Sequence, residues 1–361
     1  MKRFITFGDI QQFRTIIKNV QSTARYQGQD ENDEPIIDRN AIMPKVSVIA
    51  SEKIHGTCGA VCFSNPDGFW VQSRKNIITP EKDNAGCAFF CENNKDIWIT
   101  YIIKDLVTKY NINLNKYIIS VYFEWAGGSI QGAKSACSGL DKRAVIFQHF
   151  KVSPIEPSEI ETSKWYETRD DLIGWAAFTS RFIFNIMNFK VWEFEIDFEQ
   201  PLLSQNKMIA IVSEEIEPNS PVGKAMGKDG NVGEGIVVTF MYKNTLQRFK
   251  VKREAHSKSK VKTLKPVNEE EEKIKIGFAN YACSASRLEQ AWQTVFGIDN
   301  ETQEPDVKCT GDFIRAVIQD IIKEESDIMA EKGLEPKIIG KFVSKISRTW
   351  FMEQLDELAG L

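Results

Sequence analysis

Apolar and polar positions alternate with a period of two over much of the first 255 residues, the pattern of half-buried strands. VSVIASE (46–52) and CGAVCFS (58–64) both alternate in this way, and FWVQS (69–73) follows the turn-forming run Asn65-Pro66-Asp67-Gly68. Further strands are expected over IISVYFE (118–124), AVIFQHF (144–150), IVVTF (236–240) and QRFKVK (247–252), the last two joined by a short polar turn at Tyr242 to Thr245. Asp96 to Tyr110 reads as a helix with Ile97, Tyr101, Leu106 and Val107 on one stripe and Lys104 and Lys109 toward solvent. Residues 151–230 mix both periods and give no clear order. Beyond residue 275 the period becomes helical: Phe313, Ile314, Val317, Ile318 and Ile321 share one face, as do Ile339, Phe342, Val343, Ile346 and Trp350. An apolar-poor stretch separates the two regimes, basic from Lys258 to Lys265 and acidic over Glu269–Glu272. The outline is α+β: a larger domain of mixed strands and helices over 1–255, a linker over 256–275, and a small all-α domain over 276–361.

Charge narrows the choice of partners. The 361 residues carry 46 Lys+Arg against 50 Asp+Glu, a net charge of −4, so affinity for nucleic acid must come from a local patch. One such patch runs from Arg248 to Lys265, where Arg248, Lys250, Lys252, Arg253, Lys258, Lys260, Lys262 and Lys265 face a single acid, Glu254. The richest apolar run, Leu172 to Phe189, is interrupted by Arg181, Asn185 and Asn188, so no membrane span is expected. The first residues lack the apolar stretch of a secretion signal, and seven scattered cysteines fit reduced thiols in a cytoplasmic setting. Cys58 and Cys62, with Cys87 and Cys91, form two Cys-x3-Cys pairs, but the spacing is looser than a zinc knuckle and core thiols are the better reading. With His at only 55, 149 and 256, sites built on several imidazoles are nearly excluded.

Chemistry concentrates at strand ends. Glu52-Lys53-Ile54-His55-Gly56-Thr57 lies between two expected strands, where a lysine can be desolvated into a nucleophilic amine and Gly56 lets a ligand approach the backbone. Arg74 and Lys75 close another strand, Glu124 ends a third before Trp125-Ala126-Gly127-Gly128, and Glu234 stands between two glycines just before IVVTF. Lys250 and Lys252, two apart on a strand, project to one face. Each feature has a plain alternative: a solvated turn for Lys53 and His55, an exposed sheet face for the paired lysines. Together, one reactive amine, two carboxylates and several cations are what phosphoryl or nucleotidyl transfer needs.

The order Lys53-x-His55-Gly56, Ser73-Arg74-Lys75, Phe123-Glu124-Trp125-Ala126-Gly127, Glu234-Gly235-Ile236-Val237 and Lys250-x-Lys252 resembles the motifs of covalent nucleotidyltransferases. With His rather than Asp after the lysine, it resembles the RNA ligase 2 family, which includes phage double-strand RNA ligases and RNA-editing ligases. The resemblance implies an ATP-dependent ligase domain of antiparallel sheets and helices. In it Lys53 attacks the α-phosphate of ATP and carries AMP, and His55 orients the leaving pyrophosphate. Glu52, Ile54, Arg74, Glu124 and Phe147 surround the nucleotide, Phe147 stacking on adenine. Glu234 engages Mg²⁺ or Mn²⁺, and Lys250 and Lys252 meet the phosphates. Arg74, Lys75, Lys258 and Lys260 would contact RNA, expected to be a nicked duplex bound by a monomer. AMP would pass to an RNA 5′-phosphate, which a 3′-hydroxyl then seals. The family pattern has Arg where Ser51 stands and Asn where Cys58 stands, positions beside the nucleotide and the RNA end. The alternatives are a DNA or hybrid ligase of the same mechanism, which usually has Asp at position 55 and a β-rich domain after the last motif, and a non-catalytic RNA-end-binding protein.

Overall fold

The computed structural model describes residues 2–130, 135–156, 162–168, 179–252, 267–297 and 303–359. The chain divides into two compact units, one formed by Met1–Ala24 with Met43–Pro266, the other by Arg25–Ile42 with Val267–Leu361.

The first unit carries two antiparallel sheets. Apart from a hairpin of β1 (Tyr26–Gln29) and β2 (Pro35–Ile37) that belongs to the second unit, its strands are β3 (Lys45–Glu52), β4 (Thr57–Ser64), β5 (Gly68–Ser73), β6 (Ile77–Ile78), β7 (Tyr117–Ala126), β8 (Arg143–Ile146), β9 (His149–Pro154), β10 (Lys164–Glu167), β11 (Ile183–Asn185), β12 (Val191–Asp197), β13 (Gly235–Tyr242) and β14 (Thr245–Lys252). The larger sheet runs β10-β9-β7-β4-β5-β6, with β8 paired to β7 and, in parallel, to β11. The smaller runs β12-β3-β13-β14. Lys243 and Asn244 both take left-handed backbone angles between the last two strands, the geometry of a two-residue hairpin turn.

Strand burial follows the alternation. On β14, Gln247, Phe249 and Val251 are buried, and Phe249 stacks on Phe13 of the helix Phe13–Arg25 with ring centroids 4.8 Å apart. Arg248, Lys250 and Lys252 occupy the opposite face and are half-buried, so the paired lysines are not an ordinary exposed sheet face. One face of the larger sheet packs on a helical run from Cys87 to Tyr110 around Trp98, Ile102, Phe123 and Phe150.

Three expectations need correction. The strand expected over 144–150 is two strands, β8 and β9, broken at Phe147 and Gln148. There the backbone turns away to bond Tyr122 and Thr168: Phe147 N–H donates to Tyr122 O at 2.9 Å and Thr168 N–H to Gln148 O at 2.7 Å. The helix near Tyr101 contains a π-type stretch, Trp98–Ile103, which widens the turn and shifts its face; Ile102 and Ile103 are buried and Tyr101 is 51% exposed. The linker expected to reach residue 275 ends sooner, because Glu269–Ala282 is helical. Asn268 caps it by accepting from Glu271 N–H, and four glutamates in the first turn complement the helix dipole. Residues 253–266, with Lys258 and Lys260, lie outside the described residues.

In the second unit five helices, Glu269–Ala282, Ala285–Phe296, Thr310–Glu324, Ser326–Glu331 and Pro336–Leu358, enclose an aromatic core in which Phe313 stacks on Trp350 at 5.5 Å. Arg287 ties two of them, bonding Asp320 at 2.7 Å and Glu325 at 2.6 Å. No described helix is long and apolar enough to cross a membrane.

Candidate active site

The turn after β3 is fixed by close backbone approaches that exclude side chains. A Cβ on Gly56 would come within 2.4 Å of Trp125 O, and one on Gly235, whose φ is +145°, within 2.1 Å of Val251 O. Glycine is therefore required at both places. Lys53 N–H donates to Gly235 O at 2.8 Å, which brings the start of β13, and with it Glu234, beside Lys53.

Glu234 is the centre of the cluster. Its side chain is 3% exposed; Oε2 accepts from Lys53 Nζ at 2.6 Å and lies 3.1 Å from His55 Nδ1, while Oε1 is paired with Lys252 Nζ. Burial alone would favour the neutral acid, but the His55 contact and the charges of Lys53 and Lys252 outweigh it and hold the carboxyl well below the usual range. Glu124, half-buried on β7, behaves oppositely. Burial pushes its carboxyl up to about 7, with the Glu234 charge adding to the rise and the Lys53 charge and the Gly56 N–H opposing it. Lys250 sits beside these groups, its ammonium pulled down by burial and by the charges of Lys252 and Lys53.

Behind the cluster a cleft lies between the two sheets. It is lined by Ser51, Glu52, Lys53 and Ile54 from the β3 end, by Val237, Thr239 and Arg248 of the small sheet, and by Glu124, Val145, Phe147, Gln148 and His149 of the large one. Ile10 and Ile186 also line it, as does Phe7, from the segment before the first helix, 5.0 Å from Phe147 between ring centroids. Arg248 lies over the Phe7 ring at 3.8 Å and donates from Nη2 to Phe7 O at 2.7 Å. Burial lowers its guanidinium to about 10, so it stays charged at neutral pH.

The structure thus brings together Lys53, His55, Glu234 and Lys252, with Lys250, Glu124, Ile54 and Phe147 adjoining. Glu124 lies within β7 rather than at its end, since the strand continues to Ala126. Glu52 also lines the cleft, but its carboxylate is held elsewhere: Ser220 Oγ bonds Oε1 at 2.5 Å and Val222 N–H donates to Oε2 at 2.9 Å, at the start of the helix Pro221–Ala225. Arg74 and Lys75 line a separate, more open cleft with Lys82 and Asn84, and Arg74 is paired with Asp9 at 2.7 Å. Phe7 and Gln148 were not marked by any sequence pattern. Arg248 was, as the first cation of the basic stretch Arg248 to Lys265; its side chain lies over Phe7 and lines the cleft.

Among the described residues no group of three or more His, Cys, Asp or Glu is placed to hold a metal ion by itself. Glu234 and Glu124 suit an ion whose shell is completed by substrate phosphates, the usual manner of Mg²⁺. Of the two Cys-x3-Cys pairs, Cys62, Cys87 and Cys91 are buried, and Cys62 Sγ bonds Ser120 Oγ at 3.3 Å.

No family model matches the chain, and no curated protein matches it. Among solved structures, a variant of Naegleria gruberi RNA ligase with ATP and Mn is similar at 15% identity and a TM-score of 0.41, over 71% of this chain and 58% of that chain. The same ligase with pyrophosphate gives 13% identity and 0.39, and a variant with AMP and Mn 14% and 0.39, with the same coverage. The chain therefore spans less than two thirds of the length of the ligase structures it matches.

Proposed function

We propose that this chain is an ATP-dependent RNA ligase working through a Lys53–AMP intermediate. One observation carries the reading: an amine, an imidazole and a second ammonium converge on the buried carboxylate of Glu234 at the mouth of an aromatic-walled cleft. The cleft suits a planar base, and the cations at its mouth suit the phosphates attached to it.

In the first step the Lys53 nitrogen attacks the α-phosphorus. A P–N bond forms, the P–O bond to the β-phosphate breaks, and pyrophosphate leaves, its charge met by His55, Lys250 and Lys252. The proton shed by Lys53 passes through Glu234, in hydrogen-bond contact at 2.6 Å, to solvent. A divalent ion held by Glu234 and Glu124 would supply further neutralisation of phosphate charge. In the second step an RNA 5′-phosphate oxygen attacks the AMP phosphorus, the P–N bond breaks and the amine is restored. In the third a 3′-hydroxyl attacks the 5′-phosphorus, forming the phosphodiester and expelling AMP. Arg74, Lys75, Lys258 and Lys260 are assigned to the RNA backbone, and a nicked duplex is the proposed substrate, bound by a monomer in the cytoplasm.

Incubation with α-labelled ATP and magnesium tests the first step. Wild-type chain should acquire an acid-labile, alkali-stable label that Lys53→Ala lacks entirely, since among the described residues no other amine is shown bonded to Glu234 Oε2. Labelling of Lys53→Ala, or none of wild type, rejects the assignment. Sealing assays across nicked RNA, DNA and hybrid duplexes then define the polymer.

A further inference from the structure

Two buried polar atoms in the cleft are left over by the chemistry above. Gln148 is only 6% exposed, yet its Oε1 has no hydrogen-bond partner among the described residues. Arg248 uses Nη2 on Phe7 O, while its Nη1, sealed from solvent, has no partner among them either. Both residues line the same cleft as Phe7 and Phe147. A buried acceptor and a buried cationic donor without partners each cost free energy unless a ligand meets them.

We propose that Gln148 and Arg248 select the base by reading the edge of an adenine, Oε1 accepting from the 6-amino group and Nη1 donating to the ring nitrogen beside it. This rests on the nucleotide reading of the cleft given above and specifies its substrate. Adenine carries one donor next to one acceptor on both of its edges, N6 with N1 and N6 with N7, the chemical complement of one open acceptor and one open donor. Guanine's edge at O6 and N7 carries two acceptors and no donor, so it leaves Gln148 Oε1 unmet. Its other edge carries a 2-amino group in addition to N1–H and O6, one polar group more than the open positions can meet. Phe147 is held for stacking by the break between β8 and β9, whose anchors, Tyr122 and Thr168, fix Phe147 and Gln148 together.

The test compares labelling of the wild-type chain by ATP, by purine riboside triphosphate, which lacks the 6-amino group, and by GTP. ATP should exceed the 6-unsubstituted analogue by about ten- to a hundredfold in kcat/KM, and GTP should be poorer than ATP. Gln148→Leu should bring ATP and the analogue to parity, whereas Gln148→Glu, which keeps an acceptor, should retain the preference for the amine. Melting and circular dichroism of both variants check the fold, and the wild-type comparison needs neither. Equal use of ATP and the analogue, or a preference for GTP, overturns base reading by these residues while leaving Lys53 chemistry intact. Absence of labelling by every nucleotide sinks both readings together.

Discussion

At the scale of single residues, the site is organised by the charge on one carboxylate. Glu234 stays ionised through the neutral range because the His55 contact and the charges of Lys53 and Lys252 outweigh its burial, so the three side chains are held around it before any ligand arrives. Glu234→Gln keeps the shape and removes the charge. It should slow labelling of Lys53 and abolish its response to added magnesium, as single-turnover measurements across a metal titration would show; an unchanged metal response would assign the ion elsewhere. Lys252→Met leaves Glu234 its other two partners but removes a cation from the phosphate side. Its expected effect is a loss on the order of a hundredfold in the labelling rate, with a smaller change in nucleotide binding, separable by comparing rate and half-saturation. Glu52, one residue before Lys53, is different in kind, since its carboxylate is bonded at a helix start.

At the scale of elements, that anchor gives the fold a pH dependence. Burial raises Glu52 from 4.5 to about 7, with the bonds from Ser220 and Val222 working against the rise. The folded chain therefore binds this proton more tightly than the unfolded one. Stability from Glu52 is full below about pH 4.5, falls as pH rises toward 7, and levels off above it, a change on the order of 3 kcal/mol. Glu52→Gln, which mimics the protonated acid, should flatten the decline between pH 5 and pH 8 in urea denaturation; an equally steep decline would place its origin in another group, Glu124 being the first candidate.

The same scale shows what could be read from the chain in advance. The strands that carry Glu124 and Lys252 and those that adjoin Lys53 and Glu234 were legible because alternation and turn residues mark them, and their hydrogen-bonded neighbours follow once β3 pairs with β13 and β13 with β14. The break at Phe147 was not, since AVIFQHF holds no glycine, proline or other turn residue and only the distant Tyr122 and Thr168 bend it. The π-type turn at Trp98–Ile103 likewise leaves the ordinary helical period looking plausible. Phe7 was invisible for another reason. It sits in a segment without secondary structure, fastened by Gln72 to Ile5 and by Arg248 to Phe7 itself, contacts more than sixty residues away in sequence.

For the whole molecule, the balance of charge sets how RNA would be held. A chain with a net charge of −4 repels a polyanion unless cations are gathered locally, and the stretch after Lys252 gathers them. Replacing Lys258, Lys260 and Lys262 by Gln should weaken RNA binding at low salt. It should also reduce the slope of log affinity against log salt by about 2, read from filter binding between 50 and 200 mM salt. An unaltered slope would show that these lysines do not meet phosphate.

The division of the chain has a practical corollary. Residues 1–24 and 43–266 form one unit and residues 25–42 and 267–361 the other, so the backbone passes between units three times. Removing everything after residue 266 would not yield the first unit cleanly. It would leave behind the short hairpin of 25–42, bearing Tyr26, Ile36 and Ile37, stripped of the helices it is grouped with. Isolating the first unit therefore takes two cuts, the removal of 267–361 and the excision of 25–42 with Ala24 joined to Met43.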